Sequence, residues 1–408
     1  MSLRNLIQES HLTVASCAAV LGIDFDLFND WCDHRKEIPP AYASLLSAVL
    51  GVKPELILPV RGVASRRVSA PSPAAIWFKF RGPEFKDADR ESVLLIRRLG
   101  HNANQLEIAV QGQLNRSWKV LFEEVRASID VQSPPQEQGR LAAARFSELT
   151  QMNHGGLGCG EYLRGYLRSK GVLLIESPIP GSQVEGCSFY VGDGDSERPC
   201  LFINTYKSTW FRRNVLIMHE LGHAIFDAYT GGEVDLLEKD NSSGVIELRA
   251  QSFAKESLLP EKVLSTLLSR NGLRCTSLTI DGLARMVADS GVEQKIIIES
   301  LRERGMIDSA LEATYLGYDI WPVLKSMTEH ALSTAEFIEK VGRENAQQWT
   351  SKRQTTLSSH RLLLPVPFVK TVIEAVKSFT ISIGKACELL MIDQYDFRER
   401  FPELEYSE

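Results

Sequence analysis

Apolar residues recur at helical spacing over most of the chain and cluster at strand length in one short region. Phe211, Val215, Ile217, Leu221, Ala224 and Ile225 form a stripe that predicts a single helix over 210–228, with no proline to interrupt it. A second face, Ile246, Ala250, Phe253, Ala254 and Leu258, predicts a helix over 246–260. Three short runs, 172–175, 187–191 and 200–204, are apolar or aromatic and are separated by turns rich in Gly, Asp and Pro. That pattern predicts an antiparallel meander leading into the 210–228 helix. Upstream, 141–150 and 162–170 read as helices. So does most of 89–125, with Val93, Leu94, Ile96, Leu99, Leu106, Ile108, Val120 and Leu121 as packing positions and Ser133-Pro134-Pro135 closing the segment. Residues 277–307 read as a helix-turn-helix, either packing the central helices or contacting DNA.

Composition places this pattern in a soluble setting. The 408 residues are 44% hydrophobic and 24% charged, so two to four globular domains are expected. No apolar run approaches the roughly 18 residues of a membrane span, and Met1 to Ser10, with Arg4 and Glu9, lacks a hydrophobic signal core. The seven cysteines are odd in number and contain no C-x-x-C, which fits reduced thiols in a cytoplasm and excludes a zinc ribbon. A net charge of -6 argues against a protein that coats nucleic acid.

The chemistry concentrates in the 210–228 helix. His219, Glu220 and His223 form H-E-x-x-H, in which residues four apart share a helix face, so both imidazoles can meet one ion. Glu220 then lies beside that ion, placed to take a proton from a bound water. With eight histidines in the chain, a chance occurrence has a probability on the order of one per cent. Catalytic zinc takes three protein ligands and keeps a position open for water. A third histidine six residues after His223 is excluded, because that position is Tyr229. Asp227 is one candidate, though it reaches the metal badly from the same helix. The better one is Glu247, near the apolar face of the 246–260 helix; the polar loop 229–245 between the two helices is expected at the surface. A second oxyanion donor is needed in principle, with Tyr206 and Tyr229 as candidates.

H-E-L-G-H, followed after a polar loop by E-x-x-A-x-x-F-A-x-x-x-L-x-P, resembles the ImmA/IrrE family of metallopeptidases over about residues 140–265. The preceding strands and Arg212-Arg213 fit as well. The resemblance implies a zincin-like domain with Zn²⁺ on His219, His223 and Glu247. Two positions depart from the family pattern: Gln251 stands for the usual asparagine, and Arg249 occupies a position that is often acidic. Residues 1–62 resemble an Xre-type helix-turn-helix, with A-x-x-L-G-I, then Trp31, a basic turn with proline, and L-x-x-x-L-G-V. That module carries Lys/Arg at 4, 35, 36, 53 and 61 against Asp/Glu at 9, 24, 26, 30, 33, 37 and 55. Five against seven is a net of -2. Duplex binding rests on phosphate neutralisation, so protein docking is favoured over DNA.

The expected fold is mostly α with a small α+β zincin-like peptidase domain, a three-stranded antiparallel meander packed on the H-E-x-x-H helix, and helical N- and C-terminal modules. The divisions are 1–62 (helix-turn-helix), 63–138 (linker, beginning with the Pro- and Ser-containing 64–75, then a helical spacer), 139–265 (peptidase), 266–310 (second helix-turn-helix-like segment) and 311–408 (C-terminal helices). His154 is expected in a loop near the start of the peptidase segment; His330 and His360 have no assigned role. The expected function is a cytoplasmic zinc endopeptidase. By resemblance, it would cleave a partner Xre-type repressor to derepress stress, phage or mobile-element genes. The alternative is a DNA-binding regulator or antitoxin that uses the peptidase fold for binding. No membrane partner is expected, and a homodimer is compatible with the spacer.

Overall fold

The chain opens with α1 (Leu3–Glu9), α2 (Val14–Leu21) and α3 (Phe25–Cys32). Asp24 caps α3, its Oδ1 accepting the N–H groups of Asp26 and Leu27 at 3.0 and 3.1 Å. Two of the acidic residues noted above, Asp33 and Asp30, pair with Arg4 and Lys36 at 2.7 and 3.0 Å. The computed structural model describes residues 2–39 (except 10–12 and 22), isolated positions from 42 to 57, 77–80, 87–227 (except 131, 152–157, 180–181, 193 and 207), 242–331 and 364–404. The L-x-x-x-L-G-V part of the helix-turn-helix resemblance, the linker 64–75 and residues 229–241 of the expected polar loop 229–245 lie wholly or mostly outside those residues; 242–245 belong to a helix rather than to that loop.

Next come a short strand, β1 (Trp77–Phe80), and then α4 (Asp87–Gln111), α5 (Trp118–Arg126), α6 (Pro135–Thr150) and α7 (Gly158–Ser169). Pro134 and Pro135 begin α6 rather than close the previous segment: Pro135 sits in the first turn, where a missing N–H costs nothing. Strands β2 (Leu173–Ser177), β3 (Val184–Val191) and β4 (Arg198–Asn204) follow, and then α8 (Trp210–Phe226), α9 (Ser242–Leu258) and α10 (Glu261–Arg270). The chain continues through α11 (Ile280–Ser290), α12 (Gln294–Glu303), α13 (Ser309–Leu316) and α14 (Trp321–Met327). It ends in α15 (Val366–Lys377), α16 (Ile383–Leu390) and α17 (Gln394–Arg400). Among the described residues, no helix is long and apolar enough to cross a membrane.

The expected three-stranded antiparallel meander is not what forms. The sheet is four-stranded and mixed, in the order β1-β3-β4-β2. β4 lies between β2 and β3, parallel to β2 (Leu173 opposite Cys200, Ser177 opposite Asn204) and antiparallel to β3 (Cys187 opposite Phe202). The reason is burial. β4 is covered along its whole length, and Cys200-Leu201-Phe202-Ile203 is apolar on both faces, as a central strand must be. Ser177 at the end of β2 and Val184 at the start of β3 therefore lie on opposite sides of the β4 end, and the Asn204 amide ties the two sides together there. Its Oδ1 accepts Ile179 N–H at 2.9 Å, and its Nδ2 donates to Val184 O at 2.9 Å.

Both faces of the sheet are covered. Leu201 and Ile203 join a core with α5–α12 that includes Trp118, Phe146, Phe253, Leu283 and Ile298. The opposite face, with Cys187, Phe189, Cys200 and Phe202, is buried under α4 (Leu95, Ile96, Leu99) in a cluster that also takes in Leu6, Phe28 and Trp31 of the N-terminal helices. Thus α11 and α12, the second helix-turn-helix-like segment, bury their apolar face in the same core as the histidine helix. The far end of α4 holds the C-terminal helices: Leu106 packs with Val369 and Leu389, and Asn102 Nδ2 donates to Leu389 O at 2.9 Å.

Candidate metal centre

α8 begins at Thr209, whose hydroxyl accepts Arg212 N–H at 3.1 Å, and ends at Asp227. Arg212 and Arg213 anchor its first turn. Arg212 donates to Glu293 at 2.6 Å and to Glu185 of β3 at 2.8 Å, while Arg213 lies 3.6 Å from Glu176 of β2. The helix is thereby fixed against the sheet one turn before its chemistry begins.

His219 and His223 stand one turn apart, rings nearly perpendicular at 81°, with their Nε2 atoms 3.1 Å apart. α9 crosses α8 closely because Gly222 has no side chain: a Cβ there would lie 3.3 Å from the Ala250 Cα and 3.2 Å from the Phe253 ring. Glu247, one turn before Ala250, is carried to the imidazoles by that approach. Its Oε2 lies 3.4 Å from His219 Nε2 and its Oε1 lies 3.2 Å from His223 Nε2. A tetrahedral ion with bonds of about 2.1 Å holds its ligand atoms about 3.4 Å apart. The two imidazole nitrogens are 3.1 Å apart and each has a Glu247 oxygen at 3.2 or 3.4 Å, so the three residues, with one donor atom each within 4.8 Å of the others, fit a divalent cation. The two histidines are buried, and Glu247 is half-buried.

Asp227, the other acidic candidate, is on the far side of His223. Its Oδ2 takes Nδ1 at 2.9 Å, which fixes the tautomer that turns Nε2 toward the cluster. Its Oδ1 pairs with Arg249, whose guanidinium also donates to Gln138 at 3.1 Å and lies over the Phe226 ring. Burial by itself would push the His223 imidazole down. The hydrogen bonds from Asp227 and Glu247 and the charges of Glu220 and Asp227 outweigh it and take it up to about 9. In the cation-free protein this ring holds a proton at neutral pH, and an entering cation has to displace it.

Glu220 is fully buried, with its carboxylate against β3. Gly186 makes room for it: a Cβ at that position would fall 2.7 Å from Glu220 Oε1. The same charge, after burial, helps to hold the neighbouring Cys187 thiol well above its ordinary value. Of the residues that matter here, the sequence reading missed Gly186, Arg249 and the true place of Asp227. A glycine inside a strand is a recognisable sign of close approach, whereas Arg249 and Asp227 signal nothing until the two helices meet. Tyr206 follows β4 with its N–H on Asn204 Oδ1. His330 stacks on the Trp210 ring, 4.2 Å between centroids. His154, Tyr229 and His360 lie outside the described residues.

Residues 167–273 match the family model of the IrrE N-terminal-like domain, a peptidase family. The matched span contains β2 to β4, the H-E-x-x-H helix and Glu247, and supports an ImmA/IrrE-type metallopeptidase in this part of the chain. No curated protein and no solved structure matches the chain.

Proposed function

We propose that the chain is a zinc-dependent endopeptidase, with His219, His223 and Glu247 as ligands and Glu220 as general base. The observation that carries this reading is the convergence of two imidazole nitrogens and one carboxylate within 4.8 Å of one another, with a second carboxylate on the neighbouring helical position. Two imidazoles and one carboxylate suit zinc. When bound, the ion supplies Lewis acidity, which brings a water's pKa toward about 7 and polarises a peptide carbonyl. Glu220 accepts the proton of the attacking water and returns it to the leaving amine. Asp227 keeps His223 in its ligating tautomer, and Arg249 balances the buried charge of Asp227.

The substrate in this reading is a partner Xre-type repressor, cut in an exposed linker so that stress, phage or mobile-element genes are derepressed. Support comes from charge: residues 1–62 carry a net -2, which suits a basic DNA-binding partner better than DNA. The test is direct. Purified protein should hold about one zinc per chain, and none after His219→Ala. Glu220→Gln should keep the zinc and lower cleavage of a repressor encoded beside it by about 10²–10⁴-fold. Unchanged cleavage would refute the mechanism. A salt-sensitive gel shift of duplex DNA, without cleavage, would instead favour a DNA-binding regulator.

A further inference from the structure

β1 occupies a place that nothing in the sequence reading assigned to it. It pairs antiparallel with the edge of β3 that faces away from β4, with Trp77 opposite Ser188, Phe78 opposite Cys187 and Lys79 opposite Gly186. Gly186 is the residue against which the Glu220 carboxylate rests, and α8 touches β1 as well as β3. The β3 edge is thus the backbone rail nearest the general base, and its hydrogen-bonding groups are already taken by residues of the same chain. An extended peptide presented to Glu220 along that rail would have to pair where β1 pairs now.

From this geometry we infer that β1 is a built-in, displaceable occupant of the peptide-docking edge, and that the described form of the protein is self-inhibited. Several features make the strand weak. It has four residues, its register slips between Lys79 and Phe80, and it follows a Pro- and Ser-containing stretch, 64–75, of linker composition. β3, by contrast, is held on its other edge over six residue pairs from Gly186 to Val191 and is tied to α8 through Glu185 and Arg212. Displacing β1 would leave the rail standing. Glu220 is fully buried in this arrangement, as expected of a base whose substrate position is filled. The occupant also names a class of ligand for the edge: an extended segment with a lysine between aromatic residues, W-F-K-F.

The cleavage part of the test rests on the peptidase reading; the binding part does not. In an antiparallel pair, one of any two adjacent residues donates its N–H to the partner strand. Replacing both Phe78→Pro and Lys79→Pro in the full chain therefore removes that bond whichever residue makes it. Hydrogen exchange at residues 185–188 should become at least about tenfold faster than in the wild type. A labelled peptide A-I-W-F-K-F-R-G, residues 75–82, should bind the variant at least about tenfold more tightly than it binds the wild type. With zinc added, the variant should cleave fluorescent casein at least about tenfold faster. The opposite manipulation keeps the strand in place: Phe78→Cys faces Cys187 in the register, and cross-strand partners lie within disulfide reach. Oxidised, this variant should lose peptide binding and casein cleavage; a reductant should restore both to the wild-type level. Unchanged exchange at 185–188 together with no peptide binding by the proline variant would overturn the inference, as would full activity of the oxidised cysteine variant. Peptide binding to a freed edge with no cleavage by any zinc-loaded form would uphold the inference and refute the peptidase reading.

Discussion

The His223 imidazole is gripped from two sides, by Asp227 2.9 Å from Nδ1 and by Glu247 3.2 Å from Nε2. Only the second contact can give way to a cation; the first holds the ring while that happens. Asp227→Asn should therefore weaken zinc binding about 10–100-fold, measured by competition with a chelating dye, without unfolding the protein. Arg249 has a different role. It departs from the residue type expected at its position, yet it supplies the positive charge that the buried Asp227 requires. Arg249→Leu should lower stability by about 3 kcal/mol, because it strips the buried Asp227 of its guanidinium partner and leaves only the His223 contact. The raised His223 value also fixes a pH dependence. In the cation-free protein a folded value of about 9 exceeds the ordinary 6.5, so the protonated ring stabilises the fold fully below about pH 6.5. That contribution is lost as pH rises through about 9. Chelator-treated protein should accordingly melt at falling temperature between pH 6.5 and 9.5 relative to His223→Gln, whereas zinc affinity should rise over the same interval. Parallel melting profiles for the two proteins would contradict the assignment.

Among the elements, β4 governs the rest. Its apolar residues on both faces send it to the middle of the sheet, which leaves β3 with an outer edge beside α8. Had the meander formed in chain order, β3 would have been central and the edge near Glu220 lost. Asn204 is the residue that ties the β2 and β3 sides of β4 together, since it pairs the otherwise buried Ile179 N–H and Val184 C=O. Asn204→Ala should cost about 1–3 kcal/mol for those unpaired groups, read from urea unfolding. It should speed hydrogen exchange at Val184 before it affects β4.

On the scale of the whole molecule, the span that carries the family signature is not self-sufficient. Residues 167–273 include the histidine helix, but that helix shares its core with Trp118, Phe122 and Phe146 before the span and Leu283, Ile298 and Leu301 after it. The back of the sheet depends on α4, which covers Phe189 and Phe202. A fragment of residues 112–331 should bind a hydrophobic dye and aggregate, as judged by fluorescence and size-exclusion chromatography. A fragment of residues 77–331 should do so far less. Equal behaviour of the two would mean that α4 is not the cover described here.

The sequence by itself determined the parts of the site whose logic is local. His219, Glu220 and His223 are set by one helical turn, and the apolar stripe from Phe211 to Ile225 is enough to form that helix. Glu247 was legible because the face from Ile246 to Leu258 has to pack on something, and Gly222 invited it close. Tertiary structure decided everything that depends on which elements become neighbours. Strand order followed from the burial of β4, a comparison among strands that no single run reveals. The place of Asp227 was decided by Arg249 arriving from another helix, since a buried carboxylate goes where a charge partner compensates its desolvation. β1 has only four residues and no pattern of its own; it is a strand because the edge of β3 accepts its hydrogen bonds.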